Sequence, residues 1–248
     1  MKIIVPIRSI PDPDRPIRVT TAGEIDVVRW IANPVDEAAV NEAVRLAGDD
    51  GEVIVVSTNE EHLLSGLARG AARGVLIYSH PLPEGKGATG TSPQPSPWKG
   101  EGARGWSKAL VVIVGREQAD VVLMGDDGEL GPRLAGALGV PQATQVQSID
   151  LVTSGLRVTR ELTREREVLD LSLPAVVCLQ PSFFVPRLIS LYAIVDAREK
   201  SVERMATAPA ENGVTVIEAV TAPSRRIGRM VGSVDELVDA LREEARVL

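Results

Sequence analysis

The residues best suited to chemistry lie in one short run, GDDGELGPRLAG, from Gly125 to Gly136. The run follows an apolar strand-like stretch, ADVVLMG (119–125), and leads into a helical pattern. That places it at the carboxyl end of a strand, where ligands of α/β proteins sit. Gly125, Gly128 and Gly131 let a backbone approach a ligand closely, and the next helix offers N–H groups and a positive dipole end to a phosphate. Pro132 suits the first helical turn, where no N–H is required. Asp126, Asp127 and Glu129 would repel a phosphate if aimed at it. An anion bound here therefore rests on backbone donors, the N–H groups of Gly128–Gly131, with the carboxylates turned toward solvent, ribose or a cation. An ordinary strand-to-helix turn looks the same, and spacing alone leaves both readings open.

A second candidate is Asn33-Pro34-Val35-Asp36. Asn33 can cap a helix or hydrogen-bond an adenine edge, and the two roles can coexist. The sequence displays no nucleophile–base triad, Walker-type loop or metal-ligand spacing. His62 and His80 stand in unrelated contexts, and the single cysteine, Cys178 in AVVCLQ, reads as a small buried filler that cannot form an internal disulfide.

The elements that must position these residues alternate. Lys2–Arg8, Glu52–Ser57, Gly74–Ser79 and Ala119–Gly125 read as buried strands; Asp36–Ala47, Glu60–Arg73, Trp106–Gln118 and Gly131–Leu138 read as helices. Such alternation predicts a Rossmann-like α/β fold: a mostly parallel sheet with helices on both faces. Ile17–Thr20 and Glu24–Trp30 read as a hairpin through Ala22-Gly23. Beyond Gln142 the helices stop: Gln145–Val152, Leu156–Leu162 and Val168–Gln180 are expected as strands. Arg187–Arg198 is a helix or loop, Val214–Ala219 a strand, and Val234–Leu248 an amphipathic helix capped by Ser233 with Glu236 at capping-box spacing. Residues 80–105, rich in Pro, Gly and Ser, interrupt a connection that needs only a few residues and read as a disordered insertion, with a partner-binding lid through Trp98 as the alternative.

Composition narrows the function. With 248 residues and 44% hydrophobic content, the chain can bury one large core. A net charge of −7 disfavours nucleic acid as a partner. No apolar run is long enough to span a membrane, and MKIIVPIR is too short for a signal peptide, so membrane insertion is not expected and a cytoplasmic location is the default.

Several stretches, in order, resemble the beta subunit of electron transfer flavoproteins: VPIRSIPD, ANPVDEAAVNEAVRL, LARGAARGVLI, LGPRLAGALGVPQATQV, VTRELTREREVLDLSLPAVV, VPRLISLYAIVDA and the tail GRMVGSVDELVDALREEARVL. The resemblance implies a non-enzymatic electron carrier that forms a heterodimer with an FAD-bearing alpha subunit. It would take electrons from flavin-containing dehydrogenases and pass them to a quinone reductase or another acceptor. It implies an α/β nucleotide-binding domain over 1–200 with an arm hairpin at about 145–168, and a C-terminal extension over 201–248. It further implies AMP or a second FAD between Asn33–Asp36 and Gly125–Pro132, with Ser9 and Ser57-Thr58 on the same edge. Arg160-Glu161 falls where the arm approaches the partner's flavin, and Arg187 and Leu191 where dehydrogenases dock. The LGP ending and the long tail lean toward the bifurcating, second-flavin type. The loop departs from the family pattern: it lacks the Gln-Ala pair that usually precedes the acidic residues. A free-standing adenine-nucleotide module of similar architecture and a decayed subunit are the alternatives.

Overall fold

The computed structural model describes residues 1–20, 23, 25–78, 103–126, 128–207, 217–221 and 230–247. The insertion expected over 80–105 falls largely outside them, as do Asp127, part of the turn at 21–24 and the first half of the strand expected over 214–219. Residues 217–219 carry no strand.

The elements run β1 (Lys2–Pro6), β2 (Ser9–Pro11), β3 (Ile17–Val19), β4 (Ile25–Val27), β5 (Trp30–Ala32), α1 (Pro34–Ala47), β6 (Glu52–Ser57), α2 (Glu60–Ala68), β7 (Arg73–Tyr78), α3 (Ala103–Glu117), β8 (Val121–Gly125), α4 (Leu130–Leu138), β9 (Gln142–Val152), β10 (Gly155–Glu161), β11 (Arg166–Leu171), β12 (Ala175–Leu179), α5 (Leu191–Ala197), β13 (Val202–Ala206) and α6 (Val234–Asp239), which continues into a π-helical turn, Ala240–Glu244. Among the described residues one nine-stranded sheet forms in the order β11-β10-β9-β12-β8-β1-β6-β7-β13. Pairing is parallel from β9 through β12 to β13 and antiparallel in β9-β10-β11. This is the expected α/β architecture.

Alternation along the central strands explains the two-sided cover. Ile3 and Val5 of β1, Val53 and Val55 of β6, and Val121 and Leu123 of β8 face one core with α1 and α2. Ile4, Ile54, Val56, Val122 and Met124 face a second core with α3 and α4. Strands buried on both faces read as continuous apolar runs, as these do.

Helix limits follow local chemistry. The Asn33 side chain accepts from Val35 N, Pro34 opens α1, and Asp36 and Glu37 occupy its first turn. The helix expected to Arg73 stops at Ala68, because Gly70 turns the chain at φ +114° and β7 begins at Arg73. The single strand expected over Val168–Gln180 is two: β11 lies antiparallel to β10, and after Ser172–Pro174 the chain re-enters the sheet as β12, between β9 and β8. β13, a strand that the sequence reading did not foresee, lies in the span assigned to the C-terminal extension and pairs with β7 in the sheet. In the tail, Ser233 Oγ accepts from Glu236 N while Glu236 Oε2 accepts from Gly232 N, a capping box shifted by one residue. The regular α-helix there ends at Asp239, short of the expected Leu248.

The hairpin at 145–168 has more core than an arm was expected to have. Val146, Ile149, Leu156 and Val158 are buried and join the α1–α2 core. Arg45 of α1 also donates to Ile149 O at 2.5 Å.

At the amino edge of the sheet, ion pairs tie distant elements together. Lys2 Nζ lies 3.3 Å from Glu52, Arg73 Nε donates to Glu52 at 2.8 Å, Arg73 also binds Glu117, and Arg116 pairs with Glu203 at 2.6 Å. Hydrogen bonds from Arg73 hold the Glu117 and Glu52 carboxyls below their ordinary range. Burial lowers the His62 imidazole as well. A lowered folded-state pKa contributes stability above the group's unfolded value, and that stability is lost as pH falls through the folded one. Melting temperature is therefore expected to drop as pH falls from about 7 to about 4, with His62 acting first below about 6.5 and the carboxylates below about 4.5. Arg73→Gln is expected to flatten the lower part of that curve in thermal melts. An unchanged slope would show that the Arg73 pairs contribute nothing.

Candidate functional site

The carboxyl edge of the sheet gathers the ends of β1, β6 and β8, the start of α1 and the turn into α4. Its centre is a carboxylate that the sequence had placed in a ligand site. Asp36, wholly buried in the first turn of α1, accepts from Arg8 N at 3.0 Å, Arg8 Nε at 2.8 Å, an Arg8 terminal guanidinium nitrogen at 2.7 Å and Gly125 N at 2.8 Å. Arg8 also donates to Gly125 O at 2.7 Å. The pair thus locks the ends of β1 and β8 to α1. Gly125 is glycine because α1 passes so close: an added Cβ would lie 2.8 Å from Val35 Cβ and 3.0 Å from Asp36 Oδ1.

Beside it, the turn Gly125–Leu130 is held by a second carboxylate. Asp126 Oδ1 accepts from Gly128 N at 2.8 Å, and its Oδ2 accepts from Gln145 N at 2.9 Å and Gln145 Nε2 at 2.7 Å. Asp126 N donates to Leu179 O at 2.9 Å. Gln145 adopts φ +57°, a conformation uncommon for a side-chain-bearing residue, and this clasp holds it there. Gly128 sits at φ +74°. Glu129 pairs with Arg133 at 2.6 Å.

The remaining expected residues divide. Ser57 is buried and committed: Oγ donates to Ile7 O at 2.8 Å and accepts from Asn59 N. Ser9 Oγ lies 3.0 Å from His62 Nδ1. Asn33 Oδ1 caps α1 by accepting from Val35 N at 3.1 Å. Leu130 and Gly131 are buried on the sheet side of α4, and Pro132 is in its first turn. Gly131 is explained by packing: a Cβ there would lie 2.1 Å from Cys178 Sγ on β12. The structure brings Asn33, Asp36, Gly125 and Ser57 to one edge, but mainly as a bonded frame. Arg8 and Gln145, the two residues that anchor this frame, were not singled out from sequence. The visible signal for Arg8 is a cation directly after an apolar strand, with an acid opening the next helix.

The backbone donors of Arg8, Gly125, Gly128 and Gln145 are thus all engaged with carboxylates, and the Gly131 backbone is buried. The two carboxylates add negative charge among these amides.

The other expected sites lie apart. Arg160 Nε donates to Glu167 at 2.5 Å across the β10–β11 pair, and Glu161 accepts from Gln147 Nε2 at 3.1 Å. Gln147 Nε2 also donates to Gln180 at 3.0 Å, so Glu161 is linked to the end of β12. Leu191 opens α5 with 76% of its surface exposed, and Leu188, Tyr192 and Val185 beside it are more exposed still. Arg187 contributes its carbonyl, which accepts from Arg69 at 2.6 Å; Arg69 also pairs with Glu37 of α1 at 3.2 Å. Lys200 closes the other end of α5 by donating to Leu67 O and Ala71 O. An apolar, exposed platform is thereby pinned at both ends.

The family model for the electron transfer flavoprotein domain matches residues 99–211. The electron transfer flavoprotein subunit beta of Bradyrhizobium diazoefficiens is 31% identical, with both chains covered in full. The mitochondrial subunit beta of Arabidopsis thaliana is also 31% identical over the full length of both chains, and that of Oryza sativa subsp. indica is 30% identical over the same span. Full-length similarity at this level shows that the chain belongs to the electron transfer flavoprotein beta subunit family.

Proposed function

We propose that this chain is the beta half of a heterodimeric electron carrier whose FAD is held by an alpha subunit. It carries electrons from flavin-containing dehydrogenases to a quinone reductase or another acceptor. In such a carrier the beta chain performs no bond chemistry of its own. It holds a wall beside the partner's flavin, through Arg160 and Glu161 on β10, and docks the donor. Among the described residues no helix is long and apolar enough to cross a membrane, which agrees with a carrier that meets its partners by diffusion. A cytoplasmic setting belongs to the same proposal.

The observation that carries the reading is the α5 platform. Large apolar side chains held outward by a pinned segment are costly to leave in water and mark a protein contact. Arg69 and Lys200 fix the platform before docking, so little ordering entropy remains to be lost on contact. The test is electron exchange between the heterodimer and a flavin dehydrogenase. Leu191→Ala is expected to raise KM for the carrier about tenfold, a loss of about 1.4 kcal/mol in the docked state. Bound flavin and melting temperature are expected to stay unchanged. An unaltered KM would remove Leu191 from the docking surface. Failure of the chain to copurify with any flavin-bearing partner would count against the carrier reading itself.

A further inference from the structure

We propose that this subunit holds no nucleotide of its own, because the carboxylates of Asp36 and Asp126 already fill the anion-binding positions at the carboxyl edge of the sheet. The inference rests on the carrier reading and concerns the sheet edge at which that reading would otherwise place AMP or a second FAD.

A phosphate at such an edge is held by converging backbone N–H groups and helped by a cation or a helix amino end. The converging amides and the cation of that set are present here and in use. Arg8 N and Gly125 N converge on Asp36. Gly128 N and Gln145 N converge on Asp126. These four donors come from the ends of β1 and β8, the turn after β8, and β9. They enclose two oxyanions supplied by the chain. The guanidinium of Arg8, which would serve a phosphate, makes two hydrogen bonds to Asp36. Arg133, on the first turns of α4, pairs with Glu129.

Two of the three glycines, Gly125 and Gly131, give the same answer. In a phosphate loop, glycine is needed so that a ligand can approach the backbone. Here Gly125 is required by Val35 and Asp36, and Gly131 by Cys178. Both are accounted for by protein atoms. The short turn is the cause: with only Asp126 to Glu129 between β8 and α4, the Asp126 carboxylate reaches back to the Gly128 amide two residues on and across to Gln145. A longer loop would carry its carboxylates away and leave the amides to a ligand. A subunit closed in this way offers no seat for a second flavin, and hence no second redox centre for splitting electron pairs.

The test uses the chain copurified with its flavin-bearing partner. The complex is denatured, and the released FAD and AMP are separated and quantified. One FAD per heterodimer and no AMP is the expected result; one equivalent of AMP, or a second FAD, overturns the proposal. The beta chain alone is then melted with AMP or FAD at about 1 mM, where a ligand bound even weakly to the native state raises the melting point. No rise is expected, and a rise of several degrees overturns the proposal. Asp126→Ala separates the two roles of this side chain. A clasp predicts a lower melting point in nucleotide-free buffer, whereas a ligand-facing carboxylate predicts no change there. Absence of all flavin from the complex would count against the carrier reading, while the ligand melts on the beta chain still decide the nucleotide question.

Discussion

Asp36→Ala is expected to lower the melting temperature by about 6–20 °C, the largest effect of any single side-chain truncation at the carboxyl edge. Removing one member of a buried ion pair costs about 3–5 kcal/mol, because the other charge stays in the interior without its counter-ion. For a domain of this size each kcal/mol is worth about 2–4 °C. Asp36 is wholly buried, and it also accepts the backbone amides of Arg8 and Gly125, so its loss opens the junction of three elements. Replacing both partners, Arg8→Met with Asp36→Leu, is expected to recover part of the loss, since an apolar pair carries no desolvation penalty. Thermal melts of the two single variants and the double variant give the comparison. A loss below about 1 kcal/mol for Asp36→Ala would mean the pair is dispensable.

Gly131→Val is expected to leave little folded protein. A Cβ at this position would lie 2.1 Å from Cys178 Sγ, and two further carbons would follow it into the sheet. Overpacking of this kind costs about 1–3 kcal/mol for a methyl group, and more for a branched side chain. Cys178→Ala removes the obstructing sulfur, so Gly131→Ala with Cys178→Ala is expected to fold. The double variant gains about 1 kcal/mol of helix propensity in α4 while losing the packing of the sulfur. The decisive quantity is the coupling in a double-mutant cycle. A strong positive coupling identifies Gly131 as a packing glycine. Additive effects would return it to the loop's ligand chemistry.

Much of the fold was legible in the sequence, because strands buried on both faces and helices with clear caps leave strong local signals. Glu52–Ser57 stands as expected, and α1 differs from expectation only by the Pro34 and Val35 that open it. What a linear reading missed depends on direction and on distance along the chain. An apolar run such as 168–180 does not reveal that it leaves one part of the sheet and re-enters another. Arg8 and Asp36 lie 28 residues apart, and only the fold shows that both end at β8. The same limit governs the candidate site. A glycine before a helix suits a phosphate and suits a neighbouring sulfur equally well, and the sequence does not say that Cys178 will stand behind it. Leu191, which the resemblance places where dehydrogenases dock, stands exposed in the first turn of a short helix.

The irregular strand β9 has a consequence for how this chain tolerates change. Against β12, the step from Ala143 to Val146 faces only Val177 to Leu179, and against β10, the step from Val146 to Ser148 faces only Arg160 to Thr159. Each neighbour therefore skips one residue of β9. Each bulge absorbs one surplus residue, so the residues beyond it keep their faces: Val146 stays opposite Arg160 and Ile149 opposite Val158. That is why Ala143, Val146 and Ile149 all point inward at intervals of three rather than two. Loss of the residue skipped between Val146 and Ser148 would make the strand regular there and leave Ile149 inward, whereas a one-residue change where no neighbour skips would turn every later side chain to the other face. Variation in the length of this strand is thus expected at the bulges, one residue at a time.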